Sequence, residues 1–292
     1  MAYLLYSLSI VAIYVGLALL LHLQFGRAGI VNFGVVGFWG AGMYAYGIMT
    51  VTWDLPSLAA MLLAASFAGL LALVLGALVL RLDGQSVLVA TLAFSSIVLY
   101  LVTTEKWLTS GVLGFGTIDY PFDLGAATEP VFLLVTLSIV GTLLLYAVRL
   151  EGSAYGRLLS SIRDNEPLAA GLGKPTFRHK LVFFSVTCAA MGLLGALSGS
   201  LYQFLTPGMM APGVTFTVWI ALVLGGKDRP LGALVGVVAT VGVFDVLVET
   251  VAPIPRDYAL LVPNLKLMLY GLFLVVIMMF RPAGVLGRRV TA

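Results

Sequence analysis

Residues 181–226 read LVFFSVTCAAMGLLGALSGSLYQFLTPGMMAPGVTFTVWIALVLGG, 46 residues without one charged side chain. In an ordinary soluble domain about one residue in four is charged, so a stretch like this belongs in hydrocarbon. A helix needs about 20 apolar residues to cross the roughly 30 Å of a bilayer core. The run is long enough for two crossings, and Pro207, Gly208, Pro212 and Gly213 cut it into 181–206 and 214–226. The second piece makes only about 20 Å of helix. It reads either as a short crossing or as a re-entrant half-helix.

Working outward, the same test finds uncharged runs at 2–22, 28–53, 55–80, 84–104 and 130–148. Toward the C-terminus, 231–252 is long enough but carries Asp245 and Glu249, and 264–280 is apolar apart from Asn264 and Lys266. Over all 292 residues, 61% are hydrophobic and 10% charged. That balance excludes an ordinary water-soluble enzyme and a disordered or fibrous chain. The expected fold is all-α: a polytopic membrane protein with about nine transmembrane helices (eight to ten), residues 1–292 forming a single transmembrane domain. The first basic residue, Arg27, follows the first apolar run instead of preceding it, so that run reads as a retained span and not a secretory signal.

Charge bias orients the bundle, because Lys and Arg collect on the cytoplasmic side. With nine spans and the N-terminus outside, thirteen basic residues lie inside: Arg27, Arg81, Arg149, Arg157, Arg163, Lys174, Arg178, Lys180, Lys227, Arg229, Arg281, Arg288 and Arg289. Only Lys106, Arg256 and Lys266 lie outside. A re-entrant 214–226 would move the arginine-rich tail outside and weaken this bias. The connection 105–129 is acidic and reads as external; 149–180 is basic and reads as cytoplasmic. Neither is long enough to bury a core of its own.

Few residues carry recognisable chemistry. Cys188 is the single cysteine, and His22 and His179 stand apart, so neither a disulfide nor a thiolate metal cluster is expected. No catalytic residue, cofactor or nucleic-acid partner is indicated. The phosphate-binding pattern GxxxxGK followed by Ser or Thr fails twice, at Gly173–Lys174–Pro175 and at Gly226–Lys227–Asp228. The second apolar run is dense in glycine, which permits either close helix packing or local unwinding beside a cavity. Asn32, inside it, needs a partner or a water-filled path. Thr91 and Ser95 share one helical face, which either lines a polar route or bonds back to its own helix. Asp245 and Glu249 share a face and are candidates for a proton relay.

The segment GSAYGRLLSSIRDNEPLAAGLGKPTFRHK (152–180) is the most informative connection. Asp164 or Asn165 suits an N-cap, and Glu166 and Pro167 suit a first turn. Leu168, Ala169, Ala170 and Leu172 make a short apolar helix that Gly173 stops. A helix stapled at both ends within a cytoplasmic loop reads as a docking knob. An ordinary basic loop near anionic headgroups is the simpler alternative.

These residues resemble a family. AGIVNFGVVGFWGAGMYAYG (28–47), TLAFSSI (91–97), GRLLSSIRDNEPLAAGLGKPTFRHKL (156–181), LVLGG (222–226) and RPAGVLG (281–287) are similar to segments of LivM-type permease subunits of branched-chain amino acid ABC importers, the LivH/LivM permease family. The signature GRxLxxIRDNExxAxxLG is the specific part. The resemblance implies an inner-membrane permease that pairs with a related LivH-like subunit. It further implies two cytoplasmic ATPase subunits beneath the pair and a periplasmic solute-binding protein that delivers the solute. It implies that Arg163, Asp164, Asn165, Glu166, Leu168, Ala169 and Gly171 form the ATPase-coupling surface. Asn32, Phe33, Gly34, Gly37, Thr91, Phe94 and Ser95 are the candidate translocation path. Lys227, Asp228 and Arg229 replace small residues that the family commonly has at that turn. Relatives also carry urea or short amides, which leaves the same machine with another solute as an alternative. An ion-coupled secondary transporter is a second alternative, with Asp245 as its candidate ion site.

The orientation predicts a labelling pattern. In a Cys188→Ala background, Thr117→Cys should react with an impermeant thiol reagent added outside intact cells, and Ser160→Cys should not. The reverse pattern would invert the topology.

Overall fold

The computed structural model describes residues 2–118, 120–122 and 124–245, together with 268, 271, 272, 275, 279, 284 and 285. The described chain is almost entirely helical. Its helices are α1 (Ala2–His22), α2 (Val35–Val51), α3 (Ser57–Val79), α4 (Gly84–Thr104), α5 (Lys106–Thr109), α6 (Thr128–Gly152), α7 (Ala154–Asp164), α8 (Glu166–Gly171), α9 (Thr176–Tyr202), α10 (Gly213–Gly225) and α11 (Pro230–Val237). A π-helical turn, Leu23–Arg27, continues α1, and another, Val238–Asp245, continues α11. Among the described residues six helical segments are long and apolar enough to cross a membrane, and Val35–Val51 and Pro230–Gly242 are shorter apolar helices. The remainder of the expected span 231–252, the Asp245 side chain, Glu249 and most of the expected span 264–280 lie outside the described residues.

Two expected spans differ from the sequence reading. The run 28–53 is not one helix, because residues 29–34 are non-helical and α2 begins only at Val35. The run 181–206 belongs to a helix that starts earlier, at Thr176 directly after Pro175, and ends at Tyr202. Apolarity marks where a chain sits in hydrocarbon, whereas caps and breaks decide where it is helical.

The buried centre is α9, flanked by α2 and α3. The Gly42–Gly192 and Tyr46–Gly199 contacts advance together, so α2 and α9 run parallel. Gly69 meets Ala189 and Gly76 meets Leu181, so α3 runs antiparallel to α9. Small residues make this closeness possible. A Cβ on Gly195 would lie 2.0 Å from the Trp39 carbonyl oxygen, and one on Gly42 2.2 Å from that of Gly192. On α3, Ala64, Ala68 and Ala72 are fully buried, while Leu58, Leu62, Leu70 and Leu78 face outward. A soluble monomer would not leave so wide an apolar surface exposed; a surface like this suits hydrocarbon.

The ends of the bundle sort into two layers. Phe115–Gly116 pairs with Phe204–Leu205 as a two-residue antiparallel ladder, joining the two connections expected outside. At the opposite end Arg27 pairs with Glu151, and the Arg81 guanidinium sits 4.7 Å from the centre of the Phe177 ring. At that end Asp83 caps α4, accepting from the Ser86 hydroxyl at 2.7 Å and the Ser86 N–H at 3.2 Å. These bonds hold its carboxyl below the usual range.

The ambiguous segment after Tyr202 runs antiparallel to residues 26–47. Leu205 meets Gly47, Met210 meets Gly40, Thr215 meets Val36, Trp219 meets Asn32, and Lys227 meets Gly26. It therefore crosses alongside that span and does not turn back. The Val285 N–H donates to the Leu224 carbonyl at 2.8 Å, which joins RPAGVLG to LVLGG.

The α2–α9 contact sets a prediction. Gly195→Ala forces two backbones apart and should destabilise the detergent-purified protein by about 1–3 kcal/mol. Gly141→Ala, with nothing within 4 Å of the new methyl, should leave the thermal midpoint unchanged or slightly raised. Equal midpoints for the two variants would refute this packing.

Candidate functional site

The break in the second span begins at the π-helical turn Leu23–Arg27. In a continuous helix the Ile30 N–H would bond the Gly26 carbonyl; here it bonds the Gln24 carbonyl at 2.9 Å. Gly29 follows with φ +69°, a conformation that glycine adopts without penalty. Residues 30–34 stay non-helical, and α2 starts at Val35.

Unwound backbone at membrane depth is tolerated where protein surrounds it and its polar groups find partners. Here side chains from α4 and α10 and from the segment itself supply them. The Phe33 N–H donates to the Thr91 hydroxyl at 3.0 Å, Gly34 to the Asn32 amide oxygen at 2.7 Å, Val36 to the Thr215 hydroxyl at 3.1 Å and Gly37 to the Ser95 hydroxyl at 3.2 Å. Three of these belong to the first four N–H groups of α2, which have no partner within the helix. Asn32 is completed by its own NH₂ donating to Gln24 at 2.8 Å and its carbonyl accepting from the Trp219 indole at 3.0 Å. Gln24 in turn donates to the Thr187 hydroxyl at 2.7 Å. Gln24, Asn32, Thr91, Ser95, Thr187 and Thr215 are all buried.

The structure brings all seven path candidates into this one cluster. Phe33 stacks on Trp219 at 4.7 Å, and Phe94 stacks on Phe38 at 4.6 Å. Phe33 and Phe94 remain half-buried, which gives the cluster an aromatic edge beside its closed polar centre. Thr91 and Ser95 do face inward together; their hydroxyls donate back to the Leu88 and Thr91 carbonyls of their own helix at 3.0 and 3.4 Å, and accept from the Phe33 and Gly37 N–H groups. Gln24, Thr187, Thr215 and Trp219 were not expected here. An amide two residues past the first apolar run was the available signal for Gln24.

The basic loop folds as its caps suggest. Ser153 caps α7, accepting from the Gly156 N–H at 2.9 Å. Asn165 caps α8, accepting from the Leu168 N–H at 3.0 Å. The helix ends when Gly173 (φ +78°) donates to the Ala170 carbonyl at 2.9 Å and Lys174 to the Ala169 carbonyl at 3.3 Å, the paired bonds of a Schellman stop. Leu168 and Leu172 are 62% and 73% exposed. Ala169 is buried against its own chain, and Glu166 pairs with Lys180 at 2.8 Å. Asp164 faces solvent and contacts Arg163 at 2.9 Å; the Arg163 guanidinium also reaches back to the Gly26 carbonyl. Gly171 is exposed.

The Lys227–Arg229 turn docks on the same junction. Arg27 donates to the Asp228 carbonyl at 3.2 Å, and the Lys227 ammonium lies 5.5 Å from the centre of the Phe25 ring. The contacts to Arg27 and Gly26 use backbone carbonyls, so charged side chains are accommodated where the family has small ones.

Comparison with known proteins places this arrangement. A family model described as branched-chain amino acid transport system / permease component matches residues 3–278. The chain is 26% identical to the probable branched-chain amino acid transport permease protein LivM of Methanocaldococcus jannaschii, over 97% of this chain and 94% of that protein. It is 25% identical to the high-affinity branched-chain amino acid transport system permease protein LivM of Escherichia coli, over 95% of this chain and 68% of that protein. The similarity takes in the broken span, the hydroxyl-bearing α4 and the capped loop alike: the chain belongs to the family of permease components of branched-chain amino acid transport systems.

Proposed function

We propose that this chain is one of two related permease subunits of an ATP-driven importer for branched-chain amino acids. It lies in a bacterial or archaeal cell (inner) membrane with its N-terminus outside and its C-terminus in the cytoplasm. A periplasmic binding protein delivers the solute, and two cytoplasmic ATPase subunits supply the energy. The observation that carries this reading is α8: a short helix, fixed at both ends, that presents Leu168 and Leu172 to solvent from a basic loop. Apolar side chains held out by caps on a loop suit a groove on another chain better than they suit water.

In this reading, binding of ATP draws the two ATPases together and carries α8 with them. The permease pair has two arrangements, open to one side or the other, and the ATPases bias which is populated. The solute passes along the half-buried aromatic edge of Phe33 and Phe94, whose apolar faces suit a branched aliphatic side chain. The buried amides and hydroxyls behind that edge hold the broken span in shape.

Leu168 tests the reading. Losing a central apolar anchor from a partner interface costs about 2 kcal/mol or more, roughly 30-fold in affinity. Leu168→Asp should insert normally, lose the ATPase subunits on purification and lose uptake. Gln85→Ala, at an exposed site on the same expected side, should retain both. Full retention of ATPases and uptake by Leu168→Asp would refute α8 as the docking element.

A further inference from the structure

We infer that Arg163 is a positioning residue that ties the coupling loop to the break in the second span and does not itself bind the ATPase. This rests on the proposed function, which makes the loop the element that ATPases move. Arg163 is in the last turn of α7, immediately before the Asn165 cap of α8. Its side chain turns toward the end of α1. One guanidinium nitrogen donates to the Gly26 carbonyl, and the opposite edge is held by the Asp164 carboxylate at 2.9 Å. The acceptor is available because of the break. The Ile30 N–H, which a continuous helix would direct at Gly26, is committed to Gln24, and Arg163 takes the freed carbonyl.

The aliphatic stem of Arg163 adds a second contact. It lies directly over Gly29, where a Cβ would stand 2.8 Å from the Arg163 Cγ. The two contacts bracket the turn from which the chain leaves α1. Gln24, within that turn, accepts from Asn32, and Asn32 accepts from the Gly34 N–H at the start of α2. A displacement of α8 therefore reaches the α2 N-terminus through one arginine and one short unwound segment. Lys180–Glu166 is another tether of the loop, and it leads to α9.

The experiment uses the assembled complex in proteoliposomes and reads three quantities: ATPase subunits retained, ATP hydrolysed and solute accumulated. Arg163→Ala should keep the ATPases and their hydrolysis while uptake falls about tenfold, within the usual range for a coupling element. The ATP consumed per solute rises accordingly. Arg163→Lys, which keeps one donor for the Gly26 carbonyl, should recover part of that uptake. Gly29→Ala displaces the arginine stem from a residue inside the junction and should uncouple in the same way. If Arg163→Ala fails to accumulate in membranes, Arg163→Gln is judged by the same readouts. Loss of the ATPase subunits from the arginine variants would make Arg163 a direct contact and overturn the inference, as would wild-type uptake at wild-type stoichiometry. A wild-type complex that binds no ATPase would instead refute the proposed function.

Discussion

Inside hydrocarbon a backbone N–H has no water to turn to, and each group left unpaired is expensive. The second span of this protein nevertheless stops being helical between Gly29 and Gly34. That is possible because Thr91, Ser95, Thr215 and Asn32 stand where the freed N–H groups point. The positions of α4 and α10 follow from this demand. α4 brings two hydroxyls one turn apart, and α10 brings Thr215 and the Trp219 indole.

The same break organises the end of the bundle where Arg27 pairs with Glu151. Once α1 ends in a π-helical turn, Gly26 offers a carbonyl and a bare Cα. The 226–229 turn closes on the bare side, where a Cβ would sit 2.6 Å from the Lys227 carbonyl oxygen, and Arg163 takes the carbonyl. Three segments distant in sequence, the end of α1, the last turn of α7 and the 226–229 turn, thus meet at one place. The central α2–α9 contact solves a different problem. Two helices approach until glycine backbones touch, which fixes α2 beyond the break.

The apolar runs disclose the spans plainly, because hydrocarbon admits no other reading of 46 uncharged residues. The caps of α8 are equally legible, since Asn165 and Gly173 act on their immediate neighbours. The start of α2 is not, because nothing in 28–34 is unhelical enough to forbid a helix apart from Gly29 and Gly34. The break depends on Gln24 meeting Thr187 across 163 positions and Asn32 meeting Trp219 across 187, and no local pattern carries that. Thr91 and Ser95 are recognisable as a polar face. Their task of capping another helix, however, belongs to tertiary structure. Ala169 shows the converse: an apolar residue on a predicted docking face can point into its own protein.

A permease built this way has a closely packed centre around α9 and a broken region where α1, α2, α10 and the basic loop converge. In the proposed function, partner chains do the work of ATP-driven transport in that region. The most direct measurement is solute accumulation in proteoliposomes that contain this chain with its partner permease, the ATPases and the binding protein. The account predicts that leucine accumulates only when ATP is supplied on the ATPase side, and that omitting the ATPases abolishes it. Accumulation driven by an ion gradient in vesicles holding this chain alone would contradict it.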